Sequence, residues 1–162
     1  MKRTWKTIGA LALAGSMLIG SSLIVFAEEV NPVGYHVYDV QEKEVTDTWY
    51  SIAKGAYLRS GITKLKEGST GYAVCSGHTV AQMDCDRVYV RIYLDQSANG
   101  TSGWGNVNYW TGEAFEAALV SASSGSYKVD RDRYYSVQGV HSVTEGSTTE
   151  TTTTCTDALY FD

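Results

Sequence analysis

Several residue types are scarce in this sequence, and each scarcity excludes a class of protein. Lys and Arg total 13 against 18 Asp and Glu, which gives a net charge of −5. Because phosphate backbones attract basic surfaces, this balance argues against a nucleic-acid-binding protein. One proline in 162 residues, with 43% hydrophobic and 12% aromatic residues, excludes a collagen-like fibre and a wholly disordered chain. The length fits one domain with a hydrophobic core and excludes a multidomain enzyme.

The sequence also lacks the motifs that mark catalytic and metal-binding sites. It has no Gly-x-Ser-x-Gly elbow, no His-x-x-x-His pair and no closely paired cysteines. The acidic triplets Asp84-Cys85-Asp86 and Asp130-Arg131-Asp132 offer carboxylates to calcium, but neither lies in a complete calcium loop. We therefore expect no catalysis, no cofactor and no metal.

Residues 1–27 have the three parts of a secretory signal peptide. A basic start precedes an apolar run over 8–26, and Val25-Phe26-Ala27 places small residues where signal peptidase cleaves. An uncleaved membrane anchor is the alternative, because about 20 apolar residues can span a bilayer. The cleavage site and the polar sequence that follows favour a secreted protein, extracellular or associated with the cell wall, with no membrane contact after cleavage. Residues 1–27 hold three of the 13 basic residues and none of the 18 acidic ones, so the remainder carries −8.

Three cysteines follow the signal peptide. Export into an oxidising environment predicts one disulfide and one remaining thiol. Strand alternation places Cys75 and Cys85 on the same sheet face near a hairpin end, which favours a bridge between them. Pairing of either with Cys155 is the alternative, and loop entropy favours that longer loop by only about 1–2 kcal/mol. Cys155 is then expected to be a free thiol or to bridge two chains.

The chain after the signal peptide has the pattern of an all-β protein. Residues 86–94 alternate aliphatic with polar or aromatic side chains, and 134–143 alternate again. Turn signals recur about every 8–12 residues. They are Ser60-Gly61, Glu67-Gly68-Ser69, Ser76-Gly77, Asn99-Gly100, Ser124-Gly125 and Glu145-Gly146. The pattern predicts an antiparallel two-sheet sandwich, immunoglobulin-like in general architecture, over 48–162, after a loosely attached lead-in over 28–47.

Two segments allow more than one interpretation. Residues 113–123 are rich in alanine, which favours a helix, but they also alternate and lack a clear cap, so we predict a strand. The threonine-rich tail over 144–156 fits a glycosylated or disordered stalk, yet the apolar residues 158–161 after it favour a last strand. His141 shares a strand face with Val137 and Val143, which predicts a buried, hydrogen-bonded histidine rather than a ligand.

Four stretches resemble a small family of exported, β-rich proteins of Gram-positive anaerobes, which is itself functionally uncharacterised. They are Trp49-Tyr50-Ser51-Ile52-Ala53-Lys54-Gly55, Val88-Tyr89-Val90-Arg91-Ile92-Tyr93-Leu94, Gly103-Trp104 and Tyr134-Tyr135-Ser136-Val137-Gln138-Gly139-Val140-His141. The resemblance extends from Trp49 to the C-terminus. It implies a secreted β-rich domain and supplies no functional residues, because the shared motifs are packing and turn patterns.

Exposed aromatic side chains are the best functional signal in the sequence. Tyr89 and Tyr93 alternate with arginines along one predicted strand face, and Trp104 and Trp110 follow in the next strand region. Flat rings flanked by polar groups suit a sugar ring or a protein partner, although tyrosines also pack across strands in any sheet. We therefore expect a secreted or cell-surface binding module for a protein or glycan, with these four residues as the candidate site. A small exported toxin or defence protein is the alternative, and a hydrolase is less favoured.

Overall fold

The computed structural model describes residues 33–41, 43–52 and 57–162. These residues form eight β-strands: β1 (Gly34–Gln41), β2 (Glu44–Ser51), β3 (Leu58–Glu67), β4 (Tyr72–Ser97), β5 (Gly105–Lys128), β6 (Arg133–Glu145), β7 (Thr148–Cys155) and β8 (Leu159–Phe161). Every pair of neighbouring strands is antiparallel. The prediction of an all-β antiparallel protein is confirmed. The predicted signal peptide lies outside the described residues.

The strands belong to one sheet, in the order β1-β2-β3-β4-β6-β7, in which β5 also pairs with β4 and β8 with β6. The β4–β5 hairpin is its centre. The edge of β4 that faces away from β5 carries β3 along residues 73–81 and β6 along residues 87–97. The sheet curls into a half-barrel. The two separate sheets of an immunoglobulin-like sandwich are therefore not confirmed, because a single long hairpin runs through both halves of the molecule.

The β4–β5 hairpin bends sharply in the middle. Between the pairs Val80–Leu119 and Cys85–Ala117, four residues of β4 lie opposite one residue of β5. Extra residues on one strand of a pair break the ladder and bend the strand. The bend brings the first and second halves of β4 face to face, and it also brings β3 opposite β6.

Gly77 explains why one predicted turn is wrong. The Ser76-Gly77 pair lies inside β4, where the chain runs straight on. A Cβ at Gly77 would overlap the side chain of Ile92 in the other half of the strand. The glycine therefore permits close packing of the two halves of β4, which is a different use of the missing side chain from the one predicted.

The other predicted elements have mixed outcomes. Ser60-Gly61 and Ser124-Gly125 also lie within strands, so these two turns are wrong as well. Turns follow Glu67, include Asn99 and Gly100, and follow Glu145, as predicted. The ambiguous segment 113–123 is a strand, within β5, and the threonine-rich tail forms β7, which is followed by β8. Most of the described part of the predicted lead-in is also strand, in β1 and the start of β2, where Val45 and Asp47 are buried.

The core lies between the two halves of the half-barrel. Its aliphatic part is formed by the side chains that the alternation places inward: Val88, Val90, Ile92, Leu94, Val137 and Val143 are all fully buried. Its polar part surrounds His141, whose side chain is also fully buried. The prediction of a buried, hydrogen-bonded His141 is confirmed.

The hydrogen bonds around His141 fix one tautomer of its ring. Thr79 Oγ1 donates its single hydrogen to the carbonyl of Tyr89, at 2.9 Å, so it accepts from His141 Nδ1, also at 2.9 Å. On the other side, Thr63 Oγ1 donates to Thr154 Oγ1 at 2.9 Å, and Thr154 lies 2.8 Å from His141 Nε2. Thr154 therefore donates to Nε2. The chain of donors runs in one direction and needs a neutral imidazole.

Burial also favours the neutral imidazole. Desolvation, with the nearby His78 as a smaller cause, lowers the pKa of His141 from 6.5 to about 3. A group whose pKa is depressed by folding stabilises the folded state above its unfolded pKa, and this stabilisation is lost as the pH falls toward the folded pKa.

We expect the free energy of unfolding of the wild-type protein to fall as the pH is lowered from 6.5 to about 3. The fall should be steeper than in His141→Gln by up to about 1.4 kcal/mol per pH unit. The glutamine keeps an amide donor and acceptor but does not titrate. Urea unfolding of both proteins across this range measures the difference, which isolates His141 from the carboxylates. Parallel stability curves for the two proteins would contradict the assignment.

The expected bridge between Cys75 and Cys85 is not found, and the three cysteines are free thiols. Both cysteines lie in β4, because the hairpin turn expected between them does not form. The straight part of β4 from Cys75 to Val80 is about 17 Å long at about 3.3 Å per residue, whereas a disulfide needs Cα atoms within about 7 Å. Cys75 and Cys85 are buried and Cys155 is exposed.

Thiol labelling of the native protein is expected to modify Cys155 alone. Burial raises the pKa of Cys75 to about 12, and burial with nearby acidic residues raises that of Cys85, so neither presents a thiolate. Mass spectrometry after iodoacetamide treatment should show one label on the native chain, three on the unfolded chain and none on native Cys155→Ser. Two labels on the native chain would mean that the strand carrying Cys75 and Cys85 opens.

Candidate functional site

The outer face of the second half of β4 carries a row of tyrosines and arginines. Val88, Val90, Ile92 and Leu94 are fully buried, so the residues between them point outward. These are Arg87, Tyr89, Arg91 and Tyr93, all partly exposed. The predicted alternation of this strand is confirmed. We call these four residues, together with Tyr109 of β5, the tyrosine–arginine row.

Contacts between guanidinium groups and rings order the side chains of this row. The Arg91 guanidinium lies 5.1 Å from the ring centre of Tyr109, 5.9 Å from that of Tyr89 and 6.0 Å from that of Tyr93. Arg87 lies 4.9 Å from the Tyr89 ring and pairs with Glu113. Each such contact contributes about 0.5–1 kcal/mol at an exposed site. Several together restrict the rotamers of the row before any ligand arrives.

Strand pairing extends this surface on both sides. Tyr109 lies opposite Tyr93 on β5, with ring centres 6.1 Å apart, and Gln138 lies opposite Tyr93 on β6. Paired residues point to the same face of an antiparallel sheet, so the amide of Gln138 borders the rings. The result is a broad surface of rings and polar groups on one layer of the half-barrel.

A cleft opens at the end of this surface beside Trp104. Its volume is about 200 Å³. Its lining is one aromatic ring with polar groups and small residues: Asp95, Gly100, Trp104, Ser136, Gln138, Cys155, Thr156, Asp157 and Ala158. Asp95 follows Tyr93 by two residues on the same strand, so the cleft and the tyrosine–arginine row share one face.

The loop that carries Trp104 is ordered by its own hydrogen bonds. Asn99 Oδ1 accepts from the backbone N–H groups of Thr101 and Ser102, at 3.0 and 2.9 Å, and Ser97 Oγ donates to the Ser102 carbonyl at 2.5 Å. An asparagine side chain that bonds its own turn in this way replaces backbone partners. Trp104, whose side chain is 37% exposed, therefore stands on a constrained loop at the rim of the cleft.

The structure brings three of the four predicted site residues to one face. Tyr89 and Tyr93 are in the row, and Trp104 is at its end. Trp110 points to the inner face, where it packs edge-to-face against Tyr127 at 5.1 Å. Sequence reasoning did not select Tyr109, which occupies the outer position instead. The signal that identifies it is the strand register, and alternation alone does not give that register.

The remaining clusters of titratable residues are structural in the described part of the chain. His36 Nδ1 lies 2.9 Å from both carboxylate oxygens of the buried Asp47, which also accepts the backbone N–H of Cys155 at 2.8 Å. These bonds fasten β1 and β7 to β2. Among residues 33–41, 43–52 and 57–162, no three His, Cys, Asp or Glu side chains converge as metal ligands. Within the same ranges, no helix has the length and hydropathy needed to cross a bilayer.

Comparison with known proteins places the chain in a family without giving it an activity. No curated protein and no solved structure matches it. One family model, described as a family of unknown function (DUF6147), matches residues 23–159. This match covers most of the sequence, including all of β1 to β7. The chain therefore belongs to this uncharacterised family, the family of unknown function DUF6147.

Proposed function

We propose that this protein is an exported, non-catalytic module that binds a glycan chain. The observation that carries the proposal is the continuity of the Trp104 cleft with the tyrosine–arginine row on one face of the sheet. The signal-peptide pattern of residues 1–27 supports export, to the cell surface or beyond.

The chemistry of the cleft favours a sugar. Pockets for drug-sized ligands occupy about 300–1,000 Å³, so a space of about 200 Å³ suits a smaller group such as one sugar ring. The Trp104 ring offers an apolar face for the C–H side of a sugar. Asp95, Gln138 and Asp157 offer acceptors for its hydroxyl groups, and Gln138 also offers donors.

The tyrosine–arginine row supplies the surface for the rest of the chain. Its rings alternate with guanidinium groups, and Glu113 and Gln138 border them on the two neighbouring strands, together with the exposed Phe115 opposite Arg87. Such a surface suits an extended ligand rich in hydroxyl groups. It is less suited to a protein partner, because the centre of a protein interface is apolar and excludes water around buried anchor residues. Because the row is already ordered by its cation–π contacts, binding loses little side-chain entropy there.

Replacement of Trp104 by alanine is expected to weaken glycan binding at least about tenfold, because it removes the stacking surface of the cleft. Tyr93→Ala should weaken binding of oligosaccharides more than binding of their monosaccharides, since Tyr93 lies beyond the cleft. The probes are a panel of neutral and carboxylate-bearing bacterial polysaccharides, measured by isothermal titration calorimetry.

Tyr50→Ala is the matched control. Tyr50 is 39% exposed, close to the 37% of Trp104, but it lies on β2 in the other half of the molecule. Its loss should leave affinity unchanged. Wild-type protein that binds no polysaccharide in the panel, or equal losses in Trp104→Ala and Tyr50→Ala, would contradict the proposal. If a purified protein partner binds through the same residues instead, the ligand of this site is a protein and not a glycan.

A further inference from the structure

We infer that β1 pairs with β1 of a second copy, so that two chains form one continuous antiparallel sheet across a two-fold axis. No residue of β1 belongs to the tyrosine–arginine row or to the lining of the Trp104 cleft. The inference therefore stands independently of the proposed function.

The outer edge of β1 has no strand paired to it among the described residues. β1 ends the sheet order, and it pairs with no strand other than β2 in the described part of the chain. Its exposed apolar and aromatic side chains, with the residue before it, are Val33 at 64%, Tyr35 at 52%, Val37 at 47%, Tyr38 at 56% and Val40 at 61%. Natural edge strands are usually blocked by lysine, proline, a bulge or a covering loop. β1 contains none of these residue types, and Asp39 is its one carboxylate.

The backbone groups that β1 offers can be assigned from its bonds to β2. The Ile52 N–H donates to the Val33 carbonyl at 3.0 Å, and the register pairs Gly34 with Ser51 and continues without a bulge. Hydrogen-bonded and non-bonded pairs alternate along an antiparallel ladder. The odd-numbered residues of β1 therefore bond to β2, and the even-numbered residues point outward. The outward residues are Gly34, His36, Tyr38 and Val40.

One symmetric register uses every outward group. Centred on Val37, it pairs Gly34 with Val40 of the second copy and His36 with Tyr38, which makes eight hydrogen bonds across the two-fold axis. A register centred on His36 or on Tyr38 leaves an outward residue without an opposite outward residue. The edge is therefore most complementary to itself when Val37 faces Val37.

The side chains agree with this register. Val37 meets its own copy in a non-hydrogen-bonded pair, where side chains come closest. Tyr35 lies opposite Asp39 of the second copy, so that a phenol hydroxyl faces a carboxylate acceptor twice in the interface. Apolar contact at the centre and complementary polar pairs on either side favour a second copy over an unrelated strand.

The other free edges are less suited to pairing. On β7, the outward N–H of Cys155 already donates to Asp47 Oδ2 at 2.8 Å. On β5, the bend of the hairpin interrupts the edge, and Glu116 has a positive φ of 49° there. A bent or capped edge presents no straight row of donors and acceptors. β8 has only three residues, so among the edge strands in the described part of the chain β1 is the one that is both straight and uncapped.

The first test is the mass of the purified protein by sedimentation equilibrium. We expect a dimer that becomes a monomer in Val37→Lys and in Val37→Asp, because each variant sets two like charges directly opposite one another. An equimolar mixture of the two variants should again sediment as a dimer. Circular dichroism should show the wild-type β-spectrum for both, which separates loss of pairing from loss of folding.

The second test fixes the register by crosslinking. In a Cys155→Ser background, Val37→Cys should form an intermolecular disulfide on oxidation, because cysteines at facing positions of a non-hydrogen-bonded pair meet the distance requirement. Val40→Cys is the matched control. Val40 is more exposed than Val37, at 61% against 47%, but its two copies would lie about 20 Å apart in this register.

Three results would overturn the inference. If the wild-type protein is monomeric at every concentration, β1 does not pair with a second copy, and residues before β1 or another protein would be the remaining candidates to cover its edge. A dimer that survives both Val37 variants would form through another surface. Crosslinking at position 40 and not at 37 would refute the register. None of these results decides whether the Trp104 cleft of a single copy binds a sugar, so the two proposals fail separately.

Discussion

Five strand segments meet at the imidazole of His141. Thr79 and the carbonyl of Tyr89 come from the two halves of β4, and Thr63 and Thr154 come from β3 and β7. Each hydroxyl in this chain has its hydrogen committed to the next acceptor. Because the group is fully buried, a strand that moved away would leave a donor or acceptor without a partner, at about 1–3 kcal/mol for each orphaned group. The curl of the sheet is thus tied to one set of hydrogen bonds.

The bend of the β4–β5 hairpin makes this meeting possible. Without it, β3 and β6 would follow one another along the same edge of β4 and never face each other. Close contact across the fold is then achieved with glycine, at Gly77 against Ile92 and at Gly61 and Gly139 around His141. A side chain at any of these positions would push the halves apart, so the polar network and the glycines act as one constraint.

Much of the fold follows from period-two alternation. Residues 86–94 and 134–143 point as their pattern predicts, because one face of a strand must be buried wherever a sheet covers a core. The pattern does not reveal how many sheets result. A Ser-Gly pair is compatible with a turn and equally with close packing inside a strand, and only the partner across the core decides between them.

In the candidate site, too, alternation alone does not predict which residue is exposed. Leu94 pairs with Asn108, but Asp95 pairs with Asn106, so Val107 is an extra residue in β5. A shift of one residue exchanges the two faces of a strand. Tyr109 therefore faces outward beside Tyr93, and Trp110 turns to the core. Alternation predicts that one of two adjacent aromatic residues is exposed, but the bulge selects which one.

The curl also separates the surfaces that remain available for binding. Since the two halves of the sheet bury their inner faces against each other, their outer faces look away from the core in opposite directions. The tyrosine–arginine row lies on the half formed by β6, β7 and the second half of β4, whereas β1 borders the other half. β1 contributes no residue to the tyrosine–arginine row or to the lining of the Trp104 cleft, so each copy in such a pair keeps its own row and cleft. A dimer built in this way would present two binding faces to one long polysaccharide, and linked sites of this kind can raise overall affinity by about 10²–10⁴-fold without any new contact. The edge that natural sheets usually block would then join two copies of the binding face.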